Sequence, residues 1–209
     1  MPYFGKEPIS SPSQTIGTGA AEDIKILFDG NAVDYHIGLD DTADDLVIGK
    51  GTALGTTTSI AIDENGIIRT PLQPAFSAKL SGAQLNISGL TTIQYATEQF
   101  DTNGDYNAGT YTFTAPVDGY YQMNLLVKFL NADAAASYHE TQITASNGTV
   151  YIMLVGDILN ADTYLQLNGS TVIYMDAADT AYAQTTVSGG TAQADIAANE
   201  SFFSGFLVG

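Results

Sequence analysis

Gly-Thr-Tyr-Thr-Phe-Thr-Ala-Pro-Val-Asp-Gly-Tyr-Tyr-Gln-Met-Asn-Leu, residues 109 to 125, reads as two β-strands around a tight corner. In the first strand Tyr111, Phe113 and Ala115 alternate with Thr110, Thr112 and Thr114, the period of two that separates the faces of a sheet. In the second, Tyr121, Met123, Leu125 and Val127 share one face, and Tyr120, Gln122, Asn124 and Leu126 share the other. Pro116 has no N–H to donate, so the chain must leave the ladder there. Gly119 is expected to supply a backbone φ that other residues avoid.

Working outward, the same alternation predicts further strands at residues 91–100, 139–145, 150–156, 163–167, 171–175, 181–188 and 200–208. Asn160-Ala161-Asp162, Asn168-Gly169 and Ser188-Gly189-Gly190 punctuate them as turns, and residues 132–137 have the composition for one helical turn. Toward the N-terminus, five shorter apolar runs follow one another: Ile24–Phe28, Val33–Ile37, Leu46–Ile48, Ser59–Ile62 and Ile67-Ile68. Asp-Gly, Asn-Gly and Gly-rich turns separate them. Pro71 and Pro74 oppose continued pairing and mark the expected boundary between this region and the rest.

The pattern Phe113-x-x-Pro116-x-x-Gly119-x-Tyr121 resembles the signature of the jelly-roll heads of complement C1q and tumour-necrosis-factor-like ligands. Three more pieces are similar to that family in order: Pro74-Ala75-Phe76-Ser77-Ala78, Phe100-Asp101-Thr102-Asn103-Gly104-Asp105-Tyr106, and Phe203-Ser204-Gly205-Phe206-Leu207. Met123 departs from the family's usual aromatic, and no collagen-like Gly-X-Y stalk precedes the head. The resemblance implies a homotrimeric head of about ten strands in two sheets, used for recognition. The short runs before it, Ile60 to Ile68 in particular, are similar to β-rich stalk segments of bacteriophage tail fibres. The expected organisation is an extended anchoring arm at 1–21, a short β-stalk at 22–73 and a jelly-roll head at 74–209. The whole is expected to be an all-β interwoven homotrimer, because about 50 residues of very short strands bury too little surface alone.

Composition narrows the function. The chain has 209 residues and a net charge of −17, with six Lys and Arg in total. Phosphate contacts need clustered basic side chains, so nucleic acid is excluded as a partner, and an anionic lipid surface is disfavoured. There is no cysteine, hence no disulfide and no thiol chemistry. No apolar run reaches bilayer-spanning length, so membrane insertion is not expected. Met1 to Pro8 lacks a basic start followed by an apolar run, which points to assembly into a particle rather than export.

Candidate sites are few. His36 and His139 stand far apart in sequence, with no His-Glu-x-x-His or Gly-x-Ser-x-Gly pattern, so no catalytic residue and no enzyme activity is expected. Asp101-x-Asn103-x-Asp105 begins like a calcium loop but has Tyr106 and Thr112 where Gly and Glu belong. It is a calcium candidate, as is the cluster Asp40, Asp41, Asp44 and Asp45; solvated turns are the competing reading, and no cofactor is expected. Asn86, Asn147, Asn168 and Asn199 open N-x-Ser/Thr triplets, read as turn chemistry. Tyr106, Tyr138 and Tyr164 are candidate ligand contacts, since tyrosine suits recognition surfaces. The Tyr120, Gln122, Asn124, Leu126 face is the candidate subunit interface.

These readings converge on a trimeric virion fibre or spike of a bacteriophage. The arm would bind other virion proteins, and the head would bind a host surface glycan or protein. A capsid-decorating or cementing protein, with the head used only to trimerise, is the alternative; a polysaccharide depolymerase ranks last.

Overall fold

The computed structural model describes residues 15–155, 164–191 and 194–209. The predicted turn at Asn160-Ala161-Asp162 and most of the predicted arm lie outside them. The chain divides into two compact units, Met1–Leu72 and Gln73–Gly209. Among the described residues every regular element is a strand, and no helix is long and apolar enough to cross a membrane.

The first unit is one antiparallel sheet of β1 (Ile24–Phe28), β2 (Tyr35–Asp40), β3 (Asp45–Lys50), β4 (Thr58–Ile62) and β5 (Ile68–Arg69). Each strand pairs with its sequence neighbour in the same chain, so the sheet runs in chain order. The segment between β3 and β4 folds back over one face, tied by Lys50 N–H to Thr57 O (3.0 Å) and Gly51 N–H to Asp34 O (2.7 Å). On that face His36, Asp45, Val47 and Ala61 are buried. Gly49 is required beside them, since a Cβ there would come within 2.7 Å of His36 Nε2.

The second unit holds β6 (Ala75–Lys79), β7 (Gln84–Ile87), β8 (Gly89–Thr92), β9 (Thr97–Asp101), β10 (Tyr106–Asn107) and β11 (Thr112–Thr114). Long strands follow: β12 (Gly119–Phe129), β13 (Ala136–Ala145), β14 (Gly148–Val155), β15 (Leu165–Met175) and β16 (Thr180–Gly189). β17 (Ala194–Ile196) and β18 (Phe202–Leu207) close the chain. They make two antiparallel sheets. The larger runs β7-β17-β12-β18-β6-β9, with β15 also on β12; the smaller runs β10-β11-β16-β13-β14, with β8 also on β16. The four sequence pieces that carried the family resemblance meet around one ring. Phe76 stacks on Tyr106 (4.9 Å) and Phe113 (4.8 Å) and takes the edge of Phe203 (5.0 Å), while Phe113 packs on Tyr121 (5.4 Å). Burying each such ring is worth about 1.5–3 kcal/mol, and each aromatic pair adds about 0.5–1.5 kcal/mol.

Alternation along β12 holds over the whole strand: Tyr121, Met123, Leu125, Val127 and Phe129 are all buried between the sheets. Five local expectations are corrected. Gly119 does not have positive φ; it opens β12, where a Cβ would strike Leu207 Cδ1 at 2.7 Å. The corner is instead fixed by Tyr121, whose hydroxyl donates to Val117 O (2.8 Å). Asn168-Gly169 is not a turn: β15 runs straight through it, pairing with β12 along eleven residues. Glycine stands there because a Cβ would overlap Ile152 at 1.8 Å.

The predicted strand at 91–100 is two strands in different sheets. Between them the chain crosses the sandwich edge, with Ile93 and Tyr95 fully buried and the Tyr95 hydroxyl donating to Leu126 O (3.0 Å). Tyr111 belongs to a turn rather than a strand. Its N–H donates to Asn107 O (2.7 Å), its φ is 62°, and the Asn107 side chain accepts from Gly109 N–H (2.8 Å). Residues 132–135 form a non-helical turn, and Ala136 and Ser137 already open β13.

Candidate functional site

The two outer faces of the sandwich differ in chemistry. Outward from β13 and β16 stand Glu140, Gln142 and Thr144 beside Gln184 and Thr186. Gln142, Thr144 and Gln184 bond one another at 2.7–3.1 Å, a self-satisfied polar surface suited to water.

The outer face of the larger sheet is built otherwise. Register aligns Tyr120 with Tyr174; Gln122 with Val172 and Phe206; Asn124 with Ser170 and Ser204; and Leu126 with Asn168 and Phe202. Tyr120 and Tyr174 meet edge to face at 5.3 Å. Asn124 Nδ2 donates to Ser204 Oγ (3.4 Å), and Gln122 Nε2 donates to Asn124 Oδ1 (3.3 Å), so the central polar side chains are linked along β12 and across to β18. A shallow groove of about 490 Å³ lies over Asn124, Leu126, Asn168, Gly169, Phe202 and Ser204. Tyr120, Val172, Tyr174, Phe202 and Phe206 are all exposed in the single chain. None of these aligned side chains carries a charge, on a chain of −17. An aromatic and apolar patch around a neutral polar row is the composition of a protein interface core.

The sequence located this face through β12 alone. Its β15 and β18 contributors were missed, although Phe202-Phe203 carried the signal: adjacent residues in a strand point opposite ways, so one of the two must face out.

The other candidates fall elsewhere. Tyr106 is a core residue, not a contact surface: its hydroxyl donates to Tyr95 O (2.8 Å) and burial raises its pKa. Tyr138 is half-buried on β13. Tyr164 is 66% exposed, with Lys128 Nζ 4.8 Å above its ring centre; the same ammonium pairs with Glu200 at 2.5 Å.

In the Asp101-x-Asn103-x-Asp105 loop Asp101 is engaged with the backbone, while the buried Asp105 Oδ2 has no hydrogen-bond partner. Asp101 accepts backbone N–H groups of Asn103, Gly104 and Asp105 at Oδ1 (3.1–3.4 Å) and of Tyr106 at Oδ2 (2.8 Å), so both oxygens organise the turn. Asp105 has its pKa raised by burial and by the neighbouring Asp101 carboxylate, partly offset by a hydrogen bond from Asn103. In the acidic cluster of the first unit, Asp45 is paired with Arg69 (2.6 Å) and Asp40 caps the N–H groups of Thr42 (3.1 Å) and Ala43 (3.3 Å). Among the described residues no three His, Asp or Glu side chains converge.

Both histidines are buried. His36 Nδ1 lies 2.9 Å from Gly51 O. His139 has neither ring nitrogen partnered, and its ring meets Phe129 edge to face at 5.4 Å.

Solved structures share the sandwich. The globular domain of zebrafish complement 1qA protein superposes with a TM-score of 0.51 at 18% identity, over 66% of this chain and 98% of that one, which shows the fold alone. Murine APRIL (TM-score 0.48, 8% identity, 65% of this chain and 99% of that one) and Eiger TNF from S. frugiperda (0.48, 10%, 65% and 91%) also match. No curated protein matches the chain. The model of the C1q domain matches residues 75–208, a span that takes in the aromatic cluster around Phe76, the Pro116 corner and the aromatic outer face, and the chain therefore belongs to the C1q domain family.

Proposed function

We propose that the chain is a homotrimeric fibre or spike protein of a bacteriophage virion, whose C1q head binds a glycan or protein on the host cell surface. The observation that carries this reading is the outer face of β12, β15 and β18, where the aligned aromatic, apolar and neutral polar side chains include no carboxylate and the charged Lys79 and Lys128 stand only at one end. Three copies bring together three times −17, and a face of Tyr, Phe, Val, Leu and neutral amides is where they can meet without opposing carboxylates. Closing that face leaves the polar sheet and the loops toward solvent. Tyr138 supplies a half-exposed aromatic there, and Tyr164, beside Lys128 at the end of the β12–β15 pair, an exposed one at the margin of the closed face. The role is binding rather than catalysis, and it works by number: several weak head contacts on one particle reinforce each other through effective concentration. Residues 1–21, rich in Pro, Ser, Gly and Thr, serve as the arm that docks onto other virion proteins.

The test has two parts. Sedimentation of the purified chain at micromolar concentration should give three chains per particle, and a monomer ends the reading. Virions made without residues 74–209 should keep their stability and lose adsorption to host cells. Fragile particles that still adsorb would transfer the role to capsid cementing.

A further inference from the structure

The N-terminal sheet has an apolar face that the described residues of its own chain leave largely open, Ile16 and Gly17 reaching it only at the end formed by Ile24, Ile26, Ile37, Leu39 and Leu46. Register stacks its side chains in rows: Ile24, Leu39, Leu46, Ile62 and Ile68 in one, and Ile26, Ile37, Ile48 and Ile60 in the next. A third row holds Phe28 and Tyr35 and ends in Lys50, the one charged side chain on the face. The opposite face is already occupied, since His36, Asp45, Val47 and Ala61 lie under the segment that joins β3 to β4. This sheet therefore has one satisfied side and one unsatisfied side.

Eight of these residues are substantially exposed, from Ile60 at 37% to Phe28 at 59% and Ile68 at 67%. At about 200 Å² for a fully exposed large side chain, they show on the order of 800 Å² of apolar surface. That exceeds the roughly 300–600 Å² patch usual on a monomer and equals the ~800 Å² that each partner contributes to a standard interface.

We propose that this face is closed by the same face of other copies of the chain, sheet against sheet, with no exchange of strands. Three observations choose that occupant. Every strand has a pairing partner within the chain and only the outer edges of β1 and the two-residue β5 are left, so what a copy chiefly offers is the face. The face is neutral but for Lys50 at its end, so chains of −17 can approach through it with little repulsion. Its area matches a whole subunit contact, and an apolar surface with no buried polar group asks only for another of its kind. The copy number, three, rests on the reading of the head as a trimer. Three such faces turned to a common axis place Ile48, in the middle of the central strand, nearest the centre.

The chain has no cysteine, which makes the test direct. Ile48→Cys and Thr56→Cys are made separately in the full chain; Thr56 lies in the segment over the opposite face. Each is treated with a short bismaleimide. Chains held face to face react at millimolar effective concentration, so Ile48→Cys at ~10 μM should crosslink on the order of a hundredfold faster than Thr56→Cys. Equal rates, or an Ile48→Cys thiol that is blocked to maleimide yet forms no crosslink, overturn the proposal; the latter means that a different protein or the N-terminal arm covers the face. Sedimentation of the unsubstituted chain separates the two levels. A trimer without crosslinking at Ile48 sinks this inference alone, whereas a monomer sinks the trimeric reading as well.

Discussion

The C1q head and the N-terminal sheet solve the same problem from opposite ends. In the head, two sheets turn their apolar faces to each other, and Phe76, Phe113, Tyr121 and Phe203 lose all contact with water within one chain. In the N-terminal sheet the same alternation yields an equally apolar face, but the other face is closed by a turn, and among the described residues only Ile16 and Gly17 touch one end of this one. Alternation fixes which side chains share a face. It does not say whether that face is covered by the chain itself. The difference predicts that the head is stable as a chain-level property, while the N-terminal sheet is stable as an assembly-level one.

The largest effect tests the head. Phe76→Ala removes the ring on which Tyr106, Phe113 and Phe203 converge and should cost about 3–5 kcal/mol. Urea unfolding followed by tyrosine fluorescence should show this loss at every protein concentration. A cost under ~1 kcal/mol would mean that the cluster is not what holds the sandwich together.

Next comes Ile60→Ala in the N-terminal sheet. For a side chain already 37% exposed in a single chain the loss should be small at dilution. Where the copies associate it should rise toward the ~2 kcal/mol lower end of buried Ile→Ala costs. Melting at a series of concentrations, with hydrogen exchange on residues 24–69, separates these regimes. A concentration-independent cost would erase the contrast between the two units.

Gly205→Ala sharpens the comparison from the packing side. Gly205 faces inward opposite Met123, and a Cβ there would lie 2.5 Å from Met123 Sδ and 2.9 Å from Phe76. Overpacking of this kind should cost about 1–3 kcal/mol, seen as a lower Tm of the head transition. An unchanged Tm would show that Met123, a flexible side chain, yields at no cost.

What was legible in the sequence follows the same division. The all-β class and the β12 core face were readable because Tyr121, Met123, Leu125 and Val127 alternate without interruption. The four family pieces were readable because they keep their order. Glycine misled twice: Gly119 and Gly169 looked like turn residues, but both are small because Leu207 and Ile152 come close, a long-range cause that local spacing cannot carry. The strand at 91–100 was read as one because Ile93 and Tyr95 continue the alternation even as the chain passes between sheets. Tyr106 was misplaced for a related reason. Its loop looks exposed, yet the ring turns inward to stack on Phe76. The outer face was half legible, since the β12 residues define it but β15 and β18 reach it only through pairing.

The smallest effect distinguishes the units through their buried histidines. His36 keeps a backbone carbonyl partner, whereas His139 is enclosed with both nitrogens unpartnered. Burial lowers the His139 pKa, partly offset by Asp133, so the folded head holds this ring neutral. The unfolded chain protonates it near the ordinary value of about 6.5. As pH falls below that value the unfolded state binds a proton that the folded state refuses, and the head loses stability until the lower folded pKa is reached. His139→Leu removes both the titration and the two unsatisfied nitrogens, so it should leave the head as stable or more stable at pH 7. Its advantage over the unsubstituted chain should widen as pH is lowered from 7 to 5, at a few degrees of Tm per kcal/mol. Differential scanning calorimetry at both pH values decides it. A constant difference would mean that His139 takes up its proton alike in the folded and unfolded chain, so that enclosure does not hold the ring neutral, and would remove this acid-sensitive contrast between the head and the sheet.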